Sequence, residues 1–275
     1  MRVVPAISLL VSLSLLAGCS GNKAPNAAPS ASPPATSSAA PPSPATPPAQ
    51  TPVTARAVHD NNDLYEFDYS YPASAGAIPA LKALLDTDLD KTRTGLIADA
   101  REGRKLSQES DFPYHPYSHH IEWQVVTDLP AWLSMSTLVG TYSGGAHPNY
   151  GYDTILWDRI AGKRRAPTDL FASKSALSAS LRAPFCKELD RQRAKKRGGE
   201  EPSGRISEFA ECIDPAEQTV ILGSSNGKAF DRIGVLVAPY AAGPYAEGSY
   251  EVTVPVTASV LAAVKPEFRN SFVAK

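Results

Sequence analysis

The sequence has little net charge, few cysteines and no second long apolar segment. Its 27 lysine and arginine residues almost balance 28 aspartate and glutamate residues, which excludes the strongly basic surface that nucleic acids attract. No nucleic-acid partner is therefore predicted. Beyond the N-terminus, no apolar run approaches the roughly 18 residues of a membrane-spanning helix, so no membrane span is predicted there.

Several catalytic signatures are also missing. The chain has no GxxxxGK[ST] phosphate loop and no HExxH zinc motif. Its three cysteines lack the paired CxxC spacing of zinc sites. His115, His119 and His120 are candidate metal ligands, but adjacent residues of a strand point to opposite faces, so only one of the last two could join His115. No metal and no cofactor are predicted, and the sequence favours a non-enzymatic protein.

The N-terminus has the organisation of a bacterial lipoprotein signal peptide over 1–19. Arg2 precedes an apolar run at 7–16, and LAGC at 16–19 places small residues before a cysteine. Cleavage would leave Cys19 carrying several acyl chains, palmitate among them, which together anchor a protein firmly. An ordinary secretory signal is the alternative. Because Ser20 follows instead of aspartate, we expect the inner leaflet of the outer membrane, with the protein facing the periplasm.

Residues 20–57 are rich in proline, alanine and serine and contain almost nothing else that is apolar. Such a composition cannot bury enough surface to offset the entropy lost on ordering, so a disordered linker is predicted. In a polyproline II conformation it would reach roughly 100 Å. It would therefore act as a spacer between the lipid anchor and the folded part.

Cys186 and Cys212 remain once Cys19 is set aside, and two cysteines in an exported domain predict one disulfide. The bond would close a loop of about 27 residues, worth about 3.5 kcal/mol in the chain-entropy model. Inside that loop, residues 190–205 are first basic and then acidic. They are predicted to be a solvated excursion; a basic patch that binds an anionic glycan or phosphate is the alternative.

The order of predicted elements is β–α–β–β–β–α–β–β–β–α, which indicates an α+β fold with antiparallel sheets and two subdomains of similar size. The expected boundaries are 58–140 and 141–265. Alternation and helical spacing give a strand at 63–72, a helix at 77–105 ending near Gly103, a meander over 119–164, a capped helix at 166–197 kinked near Pro184, a hairpin over 217–240, and a strand and short helix at 248–264.

The run YSGGAHPNYG at 142–151 is the candidate functional loop. Gly144 and Gly145 can supply backbone angles that other residues avoid, and His147, Asn149 and Tyr150 bring hydrogen-bonding groups. His147 could catalyse or could hold the turn together. A second candidate loop contains Tyr240 and Tyr245, whose amphipathic rings suit protein or sugar surfaces.

Two resemblances follow from these residues. YSGGAHPNYG, followed by DLF at 169–171 and by FDRIGVLVAPYAAGPYAEGSYEVTVPVTASVL at 230–261, resembles the extracellular C-terminal domain of RsiV-type anti-sigma factors. YEFDYSYPA at 65–73 and the long helix after it resemble the non-catalytic module that precedes the catalytic domain of PdaC-type peptidoglycan deacetylases. The first resemblance implies binding of lysozyme; the second does not imply deacetylase activity.

Together these features predict a cell-envelope lipoprotein whose folded domain binds a partner, either a lysozyme-like protein or peptidoglycan. The glycine-histidine loop and the tyrosine loop would supply the contacts. Two alternatives stay open: a cell-wall hydrolase that uses His147 as general base, and a structural link between membrane and wall.

Overall fold

The computed structural model describes residues 55–199, 209 and 211–275. The predicted signal peptide with Cys19, the linker up to residue 54 and residues 200–205 of the predicted charged excursion lie outside these residues. Among the described residues, every helix is too short or too polar to span a bilayer.

The described chain is a mixed α+β structure, which confirms the predicted fold class. Its strands are β1 Arg56–Asn61, β2 Tyr65–Tyr71, β3 Tyr117–Glu122, β4 Gln124–Asp128, β5 Trp132–Tyr142, β6 Asn149–Asp158, β7 Lys163–Arg165, β8 Thr219–Gly223, β9 Arg232–Val237 and β10 Tyr250–Pro255. Its α-helices are α1 Ala73–Gly76, α2 Pro79–Glu109, α3 Lys174–Lys196 and α4 Ala258–Ala263. Short 3-10 helices occupy Pro167–Leu170, Pro215–Glu217, Tyr245–Glu247 and Pro266–Ser271.

Two sheets organise the described residues. A seven-stranded sheet has the order β1-β2-β3-β5-β6-β7, with β4 also paired to β5. The β2–β3 pair is parallel, because α2 carries the chain back between them, and the other pairs are antiparallel. A second, antiparallel sheet has the order β10-β9-β8. The expected boundary at position 140 falls inside β5, which pairs with β6 on both sides of that position.

The first hydrophobic core lies between α2 and the inner face of the seven-stranded sheet. The aromatic residues of β2 alternate with polar ones, and Phe67, Tyr69 and Tyr71 are almost completely buried. They pack in one cluster with Leu81 and Leu85 of α2. The alternation and the helical spacing predicted from the sequence are both confirmed here.

The second core is built by α3, α4 and the three-stranded sheet. Leu177, Leu181 and Phe185 of α3 are fully buried and pack with the strand residues of β8, β9 and β10. Cys186, the next residue on α3, forms the predicted disulfide with Cys212, with 5.5 Å between the two Cα atoms. The bond ties the helix to the segment that leads into β8.

Several local predictions were wrong, each for a physical reason. The predicted cap at Thr168 and Asp169 belongs to a separate 3-10 helix; α3 starts after Ser173, whose hydroxyl accepts a hydrogen bond from the amide of Ala176 at 3.0 Å. Helix α3 continues through Pro184 to Lys196. Strand β1 was not predicted at all, because its short sequence RAVHDN carries no strong alternation of apolar and polar residues.

Gly103 does not end α2, which continues to Glu109. Instead it makes room for a neighbour: a methyl group added at Gly103 would collide with the hydroxyl end of the Tyr117 ring on β3. Gly95 lies on the same helix with open space around its Cα. The two glycines therefore offer a matched pair of substitutions.

We expect Gly95→Ala to raise the free energy of unfolding by up to about 1 kcal/mol, since alanine is the better helix former. Gly103→Ala should instead lower it by about 1 kcal/mol, because overpacking costs more than helix propensity returns. Urea unfolding of both variants measures the two changes. Equal stabilisation by both substitutions would contradict the packing of Tyr117 on Gly103.

Candidate functional site

The two loops predicted as binding loops lie against each other, although about ninety residues separate them in sequence. The His147 ring stacks on the Tyr245 ring with centroids 3.8 Å apart and an interplanar angle of 18°. The Tyr240 ring lies 5.5 Å from that of Tyr245 and 6.3 Å from that of His147. We call residues 144–150 and 239–245 the aromatic loop pair. The structure thus brings the predicted residues of both loops into one cluster.

The backbone carbonyl of Pro148 holds this cluster together. It accepts hydrogen bonds from Nδ1 of His147 at 2.9 Å and from the hydroxyl of Tyr245 at 2.8 Å. Since a carbonyl can only accept, Nδ1 must carry the proton. The other ring nitrogen, Nε2, lies 3.3 Å from the Tyr240 hydroxyl. Both ring nitrogens of His147 therefore have partners inside the loop pair.

The backbone of the loop pair has a positive φ at three positions, and one of them is not a glycine. Gly144 and Gly145 have φ values of +87° and +100°, which glycine adopts without cost. Tyr240 has a φ of +68°, which is unfavourable for a residue with a Cβ. Such strain persists only where the surrounding structure imposes it, and it is common at functional sites. The Tyr240 side chain remains 54% exposed.

The last turns of α3 hold the tyrosine loop in place. Arg193 is 3% exposed and donates from Nε to the carbonyl of Ala242 at 2.9 Å. Lys196 donates to the carbonyls of Glu247 and Ser249, each at 2.5 Å. Most of the described residues of 190–205 are exposed, as the predicted solvated excursion requires, but Arg193 and Lys196 also make hydrogen bonds within the protein.

A half-buried ion pair completes this attachment. Arg197 binds the carboxylate of Glu247 with two hydrogen bonds, at 2.7 and 3.1 Å, and the Tyr250 hydroxyl donates to the same carboxylate. Burial alone would raise the pKa of Glu247, but the bonds from Arg197 and Tyr250 outweigh it and lower that pKa. Burial and the nearby carboxylate raise the pKa of Tyr250 to about 12.

A polar cleft on the outer face of the seven-stranded sheet was not predicted from the sequence. His59, Asp68 and His120 are paired in register on β1, β2 and β3. One carboxylate oxygen of Asp68 bonds Nδ1 of His59, and the other lies 2.6 Å from Nδ1 of His120. Burial alone would raise the pKa of Asp68, but these two hydrogen bonds lower it. The cleft beside them has a volume of about 640 Å³.

The row continues across the sheet towards the loop pair. His120 faces Gly140 on β5, and Gly140 faces Tyr150 on β6. A Cβ at Gly140 would come within 3.2 Å of the Tyr150 ring, so the absence of a side chain lets that ring lie over the strand. A second cleft of about 360 Å³ follows, lined by His120, Tyr150 and Pro148 among others. Only the register of the strands reveals this row, and spacing in sequence does not.

The chemistry available at the cleft is hydrogen bonding and proton transfer. Asp68 fixes Nδ1 of both histidines and leaves each Nε2 directed away from the carboxylate. Among the described residues, no group of three or more histidine, cysteine, aspartate or glutamate side chains is arranged to hold a metal ion. His115 lines the smaller cleft beside His120, while His119 lies on the other face of β3, as the alternation predicts.

A G-x-S-x-G pattern is present at Gly223–Gly227, although the sequence was predicted to contain no such nucleophile elbow, and it forms a hairpin turn. It joins β8 to β9, whereas the serine of a nucleophile elbow lies between a strand and a helix. The Ser225 hydroxyl donates to one carboxylate oxygen of Asp231, and the Ser225 amide donates to the other at 2.9 Å. The motif therefore stabilises the turn.

The first part of the folded chain is similar to a known family. Residues 58–150 match the family model of the deacetylase PdaC. This match confirms the resemblance to PdaC predicted from β2 and α2. The polar cleft is lined mainly by this PdaC-like region, and the glycine-histidine loop lies at its end. The tyrosine loop belongs to the part of the chain after it.

Two solved structures share similarity over most of this chain. A DUF3298 family protein from Pseudomonas aeruginosa PAO1 is 15% identical, with a TM-score of 0.48, and the alignment covers 82% of this chain and 99% of that one. A member of the same family from Bacteroides fragilis is 16% identical, with a TM-score of 0.46 and coverages of 80% and 97%. No curated protein matches the sequence. The RsiV resemblance stays a prediction.

His119 in the PdaC-like region should make stability depend on pH. Its ring lies on the α2 side of β3, and its buried Nε2 has no hydrogen-bond partner among the residues that the structure describes. Burial is the largest effect and lowers the pKa of His119 below its ordinary 6.5. The carboxylate of Asp88 raises this pKa, and His120 lowers it by a smaller amount. Protonation is therefore less favourable in the folded than in the unfolded state.

Above pH 6.5 the imidazole is neutral in both states, and as the pH falls below 6.5 the unfolded chain takes up the proton first. The free energy of unfolding should therefore fall as the pH is lowered. Urea unfolding of the wild type and of His119→Leu between about pH 7 and pH 5 isolates this contribution. This range includes the ordinary histidine pKa of about 6.5. An identical pH dependence in both proteins would refute it.

Proposed function

We propose that this protein is a non-enzymatic cell-envelope lipoprotein whose folded domain binds a partner, a lysozyme-like protein or peptidoglycan, through the aromatic loop pair. The observation that carries the proposal is the meeting of His147, Tyr240 and Tyr245 in one cluster at the surface. The composition of each loop independently predicts a binding loop. The predicted lipoprotein signal peptide and linker support the location in the cell envelope.

The geometry of the cluster favours binding over catalysis by His147. Its Nε2, which a general base would need, already faces the Tyr240 hydroxyl. In the described residues, the hydrogen-bond partners of the ring are a carbonyl and a hydroxyl, with no carboxylate among them to orient it. An imidazole in this arrangement braces the loop pair.

The exposed groups suit a protein or sugar surface. Tyr240 and Tyr150 are 54% and 41% exposed, and tyrosine offers an apolar ring and a hydroxyl at low entropic cost. Contacts from α3 hold the tyrosine loop before any partner arrives. A site that is ordered in advance loses less entropy when it binds.

The experiment that tests the proposal is a binding measurement with the immobilised protein against lysozyme and purified peptidoglycan. We expect measurable binding to one of them at micromolar concentration and about tenfold weaker binding by Tyr240→Ala, as for a residue at the centre of an interface. Phe112→Ala is the matched control, because Phe112 is 51% exposed and lies outside the loop pair. No affinity for either partner, or equal losses in the two variants, would refute the proposal.

A further inference from the structure

Arg193 connects the tyrosine loop to the segment that carries Cys212. Its guanidinium donates to three groups: the Ala242 carbonyl at 2.9 Å, the Glu211 carbonyl at 3.1 Å and a carboxylate oxygen of Asp190 at 3.1 Å. The side chain is 3% exposed. A buried guanidinium needs such partners, since an unpaired buried donor is costly.

The disulfide determines where one of these partners lies. Glu211 immediately precedes Cys212, and Cys212 is bonded to Cys186 on α3, about two turns before Arg193. The carbonyl of Glu211 is therefore fixed relative to the helix that presents the guanidinium. Besides the disulfide, two side-chain hydrogen bonds from the helix reach Glu211 and Cys212 among the described residues: from Arg193 to the Glu211 carbonyl at 3.1 Å and from Arg182 to the Cys212 carbonyl at 3.2 Å.

We propose that Arg193 transmits the state of the Cys186–Cys212 disulfide to the tyrosine loop, so that reduction loosens Tyr240 and weakens partner binding. This inference rests on the proposed function of the loop pair. Reduction would come from a dithiol protein or small molecule: its thiolate attacks one sulfur, a mixed disulfide forms, and the second thiol releases the protein as two thiols while the reductant becomes a disulfide. Both cysteines are half-buried, so a reductant can reach them.

The geometry predicts that only one end of the loop responds. Ala242 is held by Arg193, whereas Glu247 and Ser249 are held by Lys196 and Arg197, which have no contact with the Cys212 segment among the described hydrogen bonds. When the Glu211 carbonyl moves away, the Arg193 guanidinium loses one of its three acceptors. Its side chain is then less fixed, and its hydrogen bond to the Ala242 carbonyl breaks more often. The amide of Ala241, bonded to the Ala238 carbonyl, should open more often, while that of Gly248 should not.

Amide hydrogen exchange of the whole protein, oxidised and held reduced by dithiothreitol, tests the coupling. We expect exchange at Ala241 to become about 10- to 100-fold faster on reduction, the factor for losing a hydrogen bond to a charged group. In Arg193→Met, exchange at Ala241 should already be fast and should no longer respond to reduction. Arg191→Met, which removes an exposed arginine of the same helix, should respond like the wild type.

Three outcomes would overturn the inference: no change at Ala241 on reduction, an equal change at Gly248 and in β9, or an unchanged response in Arg193→Met. The first excludes an effect on the loop, the second indicates general destabilisation, and the third excludes Arg193 as the connection. Because exchange needs no partner, these results are independent of the proposed function. In the partner assay, reduction should weaken binding about as much as Arg193→Met does, and the two changes together should not add.

Discussion

Replacing Glu247 with alanine should lower the free energy of unfolding by about 3 kcal/mol, in the range measured when one partner of a buried ion pair is removed. The substitution leaves the Arg197 guanidinium and the Tyr250 hydroxyl without their shared acceptor. Both side chains of the ion pair are mostly buried, with 19% and 13% exposure. Water can therefore replace the lost carboxylate only in part.

The same substitution should disturb the aromatic loop pair. A Cβ at Gly243 would meet the Glu247 carboxylate, so this side chain lies directly under the turn between Tyr240 and Tyr245. Glu217→Ala is the matched control, because Glu217 pairs with Lys174 at the surface with both side chains more than half exposed. Urea unfolding should give about 3 kcal/mol for Glu247→Ala and less than about 1 kcal/mol for Glu217→Ala. Similar losses would contradict the role given to Glu247.

Removing the disulfide by replacing both cysteines with alanine should lower the free energy of unfolding by about 3.5 kcal/mol. The bond closes a segment with a sequence separation of 26 residues, and the unfolded chain regains the entropy of that loop when the bond is absent. The change should appear as a lower urea midpoint in the double variant and in the reduced wild type.

The reduced wild type and the double variant should agree to within about 1 kcal/mol, because two thiols and two methyl groups differ little beside the loss of the cross-link. A loss below about 1 kcal/mol in both would show that other contacts keep the Cys212 segment in place without the bond. Such a result would leave the Arg193 contacts intact on reduction. Stability and exchange at Ala241 would then both be insensitive to reduction.

The elements that the sequence predicted well are those with strong local patterns. The alternation of aromatic and polar residues in β2 and the leucine spacing of α2 each determine a buried face, and both faces meet in the same core. Strand β1 carries no comparable signal, since its exposed and half-buried residues depend on pairing with β2. Gly103 was mistaken for a helix end because the reason for it, the Tyr117 ring, comes from another element.

The site was predictable in its parts but not in its assembly. Composition marked His147, Tyr240 and Tyr245, yet their contact depends on how the second sheet packs. The His59–Asp68–His120 row depends on the register of β1, β2 and β3, which no local pattern encodes. The hydrogen bonds of Arg193 and Lys196 were not predicted, because their acceptors, the carbonyls of Ala242, Glu247 and Ser249, lie some fifty residues away in sequence.

Hydrogen exchange of the protein with and without a saturating partner, lysozyme or soluble peptidoglycan fragments, shows whether the aromatic loop pair is the partner-binding surface. If the loop pair binds the partner, exchange should become slower in 144–150 and in 239–245 together and should not change in the Asp111–Tyr114 region around Phe112. Protection confined to another surface, with both loops unchanged while the partner is bound, would contradict the proposed binding surface.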